Sequence, residues 1–384
     1  MHEDKKRIYG TDEALILIVL LSLMNIILYG NMVVQYASII GTFGLLLYIA
    51  IKNRILNNKL FFLTVGLNLV SLLFTMFLYH GEGAALTFIN VLLTLQVFNN
   101  ITVDIRVQRK IHLVFSVILT LFLCTVDLTY AYAGFCYSAL GMRININSFG
   151  ILSLGGFYQW MCFLSKTRLK KQWVFVLYTV VIVVFSLWLW TSSSRASLGA
   201  MVLFFLLCMF KRRPFSYRTM RWLVGVGLCV SLAIVPIYIE LASNGNFALK
   251  ILGKSIFSGR QIVWQSAWDT YLKSPLIGTG TTYVLQGVGK SVTVSAHNTL
   301  LSILYVLGII PTISFMLMIT RRLPACQGNA YHRVSQFAFL SSLVLTFFES
   351  FYTDAYFYIL FLILLLPLEQ GEAQKFAVKK RRQR

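Results

Sequence analysis

The chain has 384 residues, of which 58% are hydrophobic, 15% aromatic and only 12% charged, about half the charged share of a soluble globular protein. That leaves too little polar surface to coat a water-soluble particle and argues against a cytosolic enzyme. The net charge of +21 would point to nucleic acid if the cations formed one patch, but they lie in short clusters between long apolar runs. Nucleic-acid binding and a secreted disulfide scaffold are therefore disfavoured, and the composition describes a polytopic membrane protein.

A bilayer core about 30 Å thick needs about 20 mostly apolar residues per helix, because each backbone polar group must be satisfied within the segment. Twelve runs meet this, near 14–29, 33–51, 60–79, 84–98, 111–126, 146–165, 172–191, 196–210, 222–241, 297–320, 334–350 and 354–367. The fourth, eighth and twelfth are short enough to be tilted, broken or half-spanning. The runs are continuous and lack strict alternation, so an all-α bundle is expected rather than a strand barrel.

Short cytoplasmic loops carry the excess of Lys and Arg. With the N-terminus inside, 27 of the 34 cations fall on inner segments and seven on outer ones, and the alternation holds to the end, which places both termini in the cytoplasm. The first run, with its basic start, lacks a small-x-small cleavage pattern and reads as a retained anchor. The basic tail 370–384 reads either as a segment lying on anionic inner-leaflet lipid or as a solvated end. The whole chain, 1–384, is then one integral membrane domain. The six cysteines, Cys124, Cys136, Cys162, Cys208, Cys229 and Cys326, are scattered without CxxC or Cys/His spacing, which disfavours disulfides and structural zinc alike.

Two outer connectors exceed what a turn requires. Residues 127–145 are rich in Tyr, and 242–296, between spans 9 and 10, is 55 residues long; connectors of that length are usually functional or disordered. Within the second, 261–272 is free of Gly and Pro and reads as an amphipathic helix. Trp264, Trp268 and Tyr271 recur there at helical spacing, with Arg260 on the same face. The helix lies in the membrane interface, presents a cation beside aromatic rings to a ligand, or does both. Ser274-Pro275 ends it. Gly278-Thr279-Gly280 lacks the context of a phosphate loop and reads as a turn.

Arg195, after Ser192-Ser193-Ser194, is either a snorkelling helix-end residue or, given its small polar neighbours, part of a close approach to a helix or ligand. His297-Asn298 opens span 10, where the helix dipole favours anions; the pair caps the helix, or His297 does chemistry there. Lys250 and Lys254, four apart, are a solvated pair or an added cationic field. No DxD or paired acids occur on the outer side, so a hard divalent metal lacks its carboxylate ligands, and no metal or other cofactor is expected. The spans contain almost no charge, contrary to most ion-coupled carriers.

In this order, Ser194-Arg195-Ala196, Arg260-x3-Trp264-x3-Trp268, Pro275-Leu276-Ile277-Gly278-Thr279-Gly280, Ala296-His297-Asn298-Thr299-Leu300-Leu301 and Gly308 resemble the O-antigen ligase and Wzy-type polysaccharide polymerase superfamily. The resemblance implies a GT-C-type glycosyltransferase of the bacterial plasma membrane. Such an enzyme works without metal on the outer face and polymerises polyprenyl-diphosphate-linked oligosaccharides into capsule or O-antigen, or ligates them to another acceptor. It also implies a flippase and a chain-length regulator as partners beside the bilayer. Arg195 and Arg260 match the family arginines that engage the donor diphosphate, and His297 matches the histidine that activates the acceptor hydroxyl. Trp264, Trp268, Tyr271, Asn298, Lys250 and Lys254 are expected to line the substrate. The long loop is short for a ligase, and Ser197 stands where the family has Gly. From another class, a twelve-span transporter or flippase shares the span count, but no internal repeat supports it.

The topology is testable by single-cysteine labelling in intact cells on a cysteine-free background. An impermeant reagent is expected to modify Ser291→Cys and to spare Ser216→Cys until the membrane is permeabilised; the reverse pattern would invert the assignment.

Overall fold

Runs of Leu, Ile, Val and Phe that cannot be solvated, with Asn, Asp or Ser at their starts, fold as helices. In the computed structural model, Asn31 Oδ1 accepts from Val34 N (3.2 Å), Asp104 from Arg106 N (2.6 Å) and Asn145 from Asn147 N (2.8 Å), each satisfying a donor the helix itself leaves open. The structure describes residues 10–28, 30–55, 66, 68–70, 73, 77, 82–101, 103–132, 135–165, 170–243, 250–251, 254–255, 260–280, 283–284, 291–292, 296–321, 330–350 and 356–366.

The described helices are α1 (Thr11–Ile27), α2 (Met32–Lys52), α3 (Glu82–Asn100), α4 (Ile105–Cys124), α5 (Ile146–Leu164), α6 (Lys171–Thr191), α7 (Arg195–Phe210), α8 (Tyr217–Ser243), α9 (Arg260–Lys273), α10 (Thr299–Leu307), α11 (Ile309–Arg321), α12 (Ala330–Phe348) and α13 (Tyr358–Leu362). Met32–Lys52, Ile105–Cys124, Gln172–Thr191 and Tyr217–Ser243 are long and apolar enough to cross a membrane, and Ala85–Asn100, Arg195–Phe210 and Ile309–Thr320 are shorter apolar helices. The chain is a mostly helical integral membrane protein. Trp173 and Trp190, exposed near the two ends of α6, lie about 26 Å apart at 1.5 Å per residue, the separation of two interfacial aromatic belts. α3, by contrast, is sheathed in protein: Phe88, Asn90, Val91, Thr94 and Val97 are all fully buried, and Asn90 Nδ2 donates to Ile39 O of α2 at 2.8 Å.

Three sequence expectations change. First, 297–320 is two helices, because the run breaks at Gly308 (φ +90°). The segment after α9 lies against that break: Thr279 N donates to Tyr305 O (2.7 Å), Gly280 N to Val306 O (3.1 Å) and Ile309 N to Pro275 O (2.9 Å). Gly278 and Gly308 make this possible, since a Cβ on Gly278 would meet Val306 C at 2.5 Å and one on Gly308 would meet Leu276 O at 2.2 Å. The turn at Gly278-Thr279-Gly280 is thus a backbone-to-backbone dock.

Second, among its described residues, 356–366, the run 354–367 holds the short α13 and a 3₁₀ turn, Ile363–Leu365. Its carbonyls accept from side chains of three other helices: Leu360 O from Gln159 Nε2 (2.7 Å), Leu366 O from Gln108 Nε2 (2.9 Å), and Leu364 O from the Ser335 hydroxyl. Because Gln159 donates through Nε2, its Oε1 faces His112 Nδ1 at 2.6 Å, so Nδ1 carries the proton and Nε2 accepts from the Tyr331 hydroxyl at 2.7 Å. The fully buried imidazole is a link in this capping chain.

Third, the connectors add strands to the helical bundle. β1 (Val126–Tyr132), β2 (Phe135–Ser138) and β3 (Arg143–Asn145) form an antiparallel sheet over much of 127–145, with Arg143 stacked 3.6 Å over the Phe135 ring. Two hairpins, β4 (Lys250–Ile251) with β5 (Lys254–Ser255) and β6 (Tyr283–Val284) with β7 (Ser291–Val292), lie within 242–296. Most of the third run, 60–79, and the tail 370–384 lie outside the described residues.

Replacing Gly278 by Ala is expected to destabilise the protein by at least about 1–2 kcal/mol, from the left-handed backbone alone, with the clash in addition. Gly199→Ala, in open space within α7, is expected to be neutral or stabilising. Thermal unfolding of the two variants in one detergent checks this, and equal midpoints would refute the docking role.

Candidate functional site

Arg195 begins α7, and its position depends on small residues. Ser192, Ser194 and Ser197 are buried, Ser194 Oγ bonds Ser197 Oγ at 3.0 Å, and a Cβ on Gly150 of α5 would meet Ser194 Cβ at 2.4 Å. The serines therefore admit a helix, α5, at close range and bring the start of α7 into the bundle.

Arg260 opens α9, which is pegged by Trp264. That indole is fully buried, packs on the Tyr238 ring with centroids 4.5 Å apart and donates from Nε1 to Ala296 O at 2.6 Å. A ring with no exposed face cannot stack on a ligand, so the expected aromatic ligand face reduces to the half-buried pair Trp268 and Tyr271, 5.6 Å apart.

The turn after Ala296 is fastened at every step. Asn298 is fully buried; its Oδ1 caps α10 at Leu301 N (2.9 Å), and its Nδ2 donates to Ser231 O (2.8 Å) and Phe347 O (3.3 Å). Thr299 Oγ1 donates to Glu349 O at 2.8 Å. The amide of Asn298 thus clamps α8, α10 and α12 together, and it is a structural group with no exposed surface to offer a substrate. Between these clamps His297 sits at φ +52°, a left-handed conformation that a non-glycine residue keeps only when its surroundings impose it. Ser193, beside Arg195, is likewise at φ +49°.

These elements converge on Glu349, just past α12. Its Oε1 accepts from Arg260 Nη2 at 3.1 Å and its Oε2 from His297 Nδ1 at 3.2 Å. The Arg260 guanidinium also lies 5.6 Å from the Phe348 ring centroid. Side-chain exposure is 15% for Arg260, 30% for His297 and 9% for Glu349, so the imidazole is the member a ligand reaches most readily. A carboxylate oxygen accepts, so the bond to Glu349 runs from His297 Nδ1–H. Arg195 and Arg260 are close enough for their charges to repel, and both act on the Tyr238 phenol. Two like charges held together favour an anion between them.

Residues 180–316 match the family model described as O-antigen ligase. That stretch, a little over a third of the chain, is similar to the O-antigen ligase family. No curated protein and no solved structure matches the chain. The matched stretch contains Arg195, Arg260, Trp264 and His297. Glu349 lies beyond the matched stretch and belongs to none of its motifs; its one signal in the sequence is an acid at the end of an apolar run in a chain with 13 acids. Lys250 and Lys254 sit on β4 and β5. Among the described residues no group of three or more His, Cys, Asp or Glu side chains converges. Cys136, in β2, is no candidate nucleophile, since burial pushes its thiol up to about 11, leaving it protonated and unreactive at neutral pH.

His297→Ala and His297→Gly both remove the imidazole, but only glycine relieves the left-handed backbone. The Gly variant is expected to be more stable than the Ala variant by about 1 kcal/mol, read as a higher unfolding midpoint. An Ala variant of equal or greater stability would show that the backbone there is unstrained.

Proposed function

We propose that the chain polymerises polyprenyl-diphosphate-linked oligosaccharide repeats by glycosyl transfer without a metal, on the outer face of a bacterial plasma membrane. The observation that carries this reading is the Glu349 bridge between Arg260 and His297 beside Arg195. It brings an imidazole and a guanidinium onto one carboxylate, with the guanidinium of Arg195 near enough to Arg260 for their charges to repel.

In the proposed step the acceptor hydroxyl oxygen bonds to the anomeric carbon of the donor while the bond from that carbon to the diphosphate oxygen breaks. The hydroxyl proton passes to His297 Nε2. The negative charge collecting on the departing polyprenyl diphosphate is met by Arg195 and Arg260, fixed guanidiniums in the place another enzyme gives to a metal ion. Glu349 holds Arg260 and His297 at a common distance, and one bond to it leaves further guanidinium N–H donors for the diphosphate. Trp264 and Asn298 act from the core by fixing α9 and the His297 turn. Lys250 and Lys254 add positive field, and Trp268 and Tyr271 offer ring edges to sugar. Twelve spans with cytoplasmic termini, and a flippase and a chain-length regulator as partners, complete this reading.

Ligation to a different acceptor uses the same step, and the description of the matched domain favours it. Purified protein supplied with a lipid-linked repeat alone separates the two: a ladder of longer products is expected, and a ladder-free reaction that proceeds only with a second acceptor would establish a ligase. Translocation of donor without covalent product would establish a carrier. Arg195→Ala and Arg260→Ala are expected to abolish product, with Arg260→Lys retaining little because bidentate geometry is lost. His297→Gln is expected to lose about 10²–10⁴-fold in turnover while still binding donor, and activity is expected to persist in excess chelator. Near-normal turnover by the Gln variant would remove the base from the mechanism.

A further inference from the structure

At the opposite end of α7 from Arg195, the connector 211–216 and the first turns of α8 carry Lys211, Arg212, Arg213, Arg218 and Arg221, all exposed. No Asp or Glu occurs between Asp127 and Glu240, and none in α12, so the helices framing this connector have no acid at its end to offset five cations.

The cations stand on a fixed backbone. Phe215 N donates to Gln336 Oε1 at 2.9 Å, and Gln336 Nε2 returns a bond to Phe215 O at 3.4 Å. Arg333 Nη1 donates to Arg212 O at 3.0 Å. The Phe215 ring packs edge-on against Phe337 at 5.8 Å, with Lys211 Nζ 5.2 Å above it. The Ser216 hydroxyl caps α8 at Thr219 N, 3.2 Å away. Like charges held together on a pinned loop repel one another, and an anionic ligand relieves that cost.

Apolar surface adjoins them directly. Phe210 is 77% exposed and Trp222 74%, and the exposed strip continues along α7 and α8 through Met209, Leu206, Val226 and Val230. Such a strip belongs against acyl chains, and a Trp at its margin marks headgroup depth. The five cations therefore lie at the level where lipid phosphates begin. A soluble acidic protein would meet the charges but has no use for the aromatic rim.

We infer that this connector is a binding site for anionic phospholipid, whose phosphate is held by Arg212 and Arg213 while its acyl chains lie beside Phe210 and Trp222. The site is independent of glycosyl transfer.

The test is native mass spectrometry of the full chain in neutral detergent, titrated with phosphatidylglycerol or phosphatidylcholine. Wild-type protein is expected to retain phosphatidylglycerol preferentially, and Arg212→Gln with Arg213→Gln to weaken that binding by about tenfold or more. The fold should survive the change, because Arg333 bonds the main chain of residue 212, not its side chain. Arg106→Gln with Lys110→Gln, the same loss of charge at the start of α4, is expected to leave the affinity unchanged. Equal losses from the two pairs would reduce the effect to net charge and overturn the site, as would equal retention of phosphatidylcholine. A polyglutamate peptide that binds more tightly than phosphatidylglycerol and is released by the Arg212 and Arg213 substitutions would instead assign the surface to an acidic protein.

Discussion

Inside an apolar slab a broken helix must find hydrogen-bond partners from elsewhere in the protein, because no water is at hand to supply them. The arrangement of the candidate site follows from how this chain meets that demand. At Gly308 the run after His297 stops, and the strip from Pro275 to Gly280 supplies and accepts the bonds that a continuous helix would have made. At the chain's last described helix, Gln108, Gln159 and Ser335 do the same work from three directions. Such substitutions tie distant segments together, and the ties decide where the side chains of the candidate site stand.

The His297 turn shows the result most clearly. Its flanking residues are bonded to α8, α9, α12 and the chain just past α12, so the imidazole is left with little freedom and a backbone conformation that it would not choose alone. Holding a side chain in this way costs stability, and such sites recur where chemistry needs a group already in place. Glu349 completes the arrangement by giving one oxygen to the arginine and the other to the histidine.

Much of this was legible in the sequence, and the reasons for the remainder are physical. Arg195, Arg260 and His297 could be singled out because polar residues at the ends of apolar runs are few, and the structure brings Arg260 and His297 onto one carboxylate. The break at Gly308 was hidden, because an isolated glycine within 24 apolar residues reads as tolerated until its backbone partner is known. Trp264 and Asn298 lie on the expected elements, and both are fully buried: helical spacing reports which residues share a face, not whether that face meets a ligand or the core. Glu349 was visible only as an acid at an outer helix end, since no spacing rule links a residue to partners 52 and 89 positions earlier. The strands of 126–145 were masked by aromatic residues that suit a loop or an interface equally well.

The bonds of Glu349 and Phe347 to the His297 turn bear on modularity. The stretch similar to the O-antigen ligase family ends at residue 316, yet the carboxylate bonded to His297 and one carbonyl that anchors Asn298 come from beyond that boundary. The matched segment is therefore half of a joint. Residues 180–316 transplanted alone would leave behind the carboxylate and the carbonyl that hold the His297 turn, so a graft that keeps the turn's shape has to include the end of α12 as well.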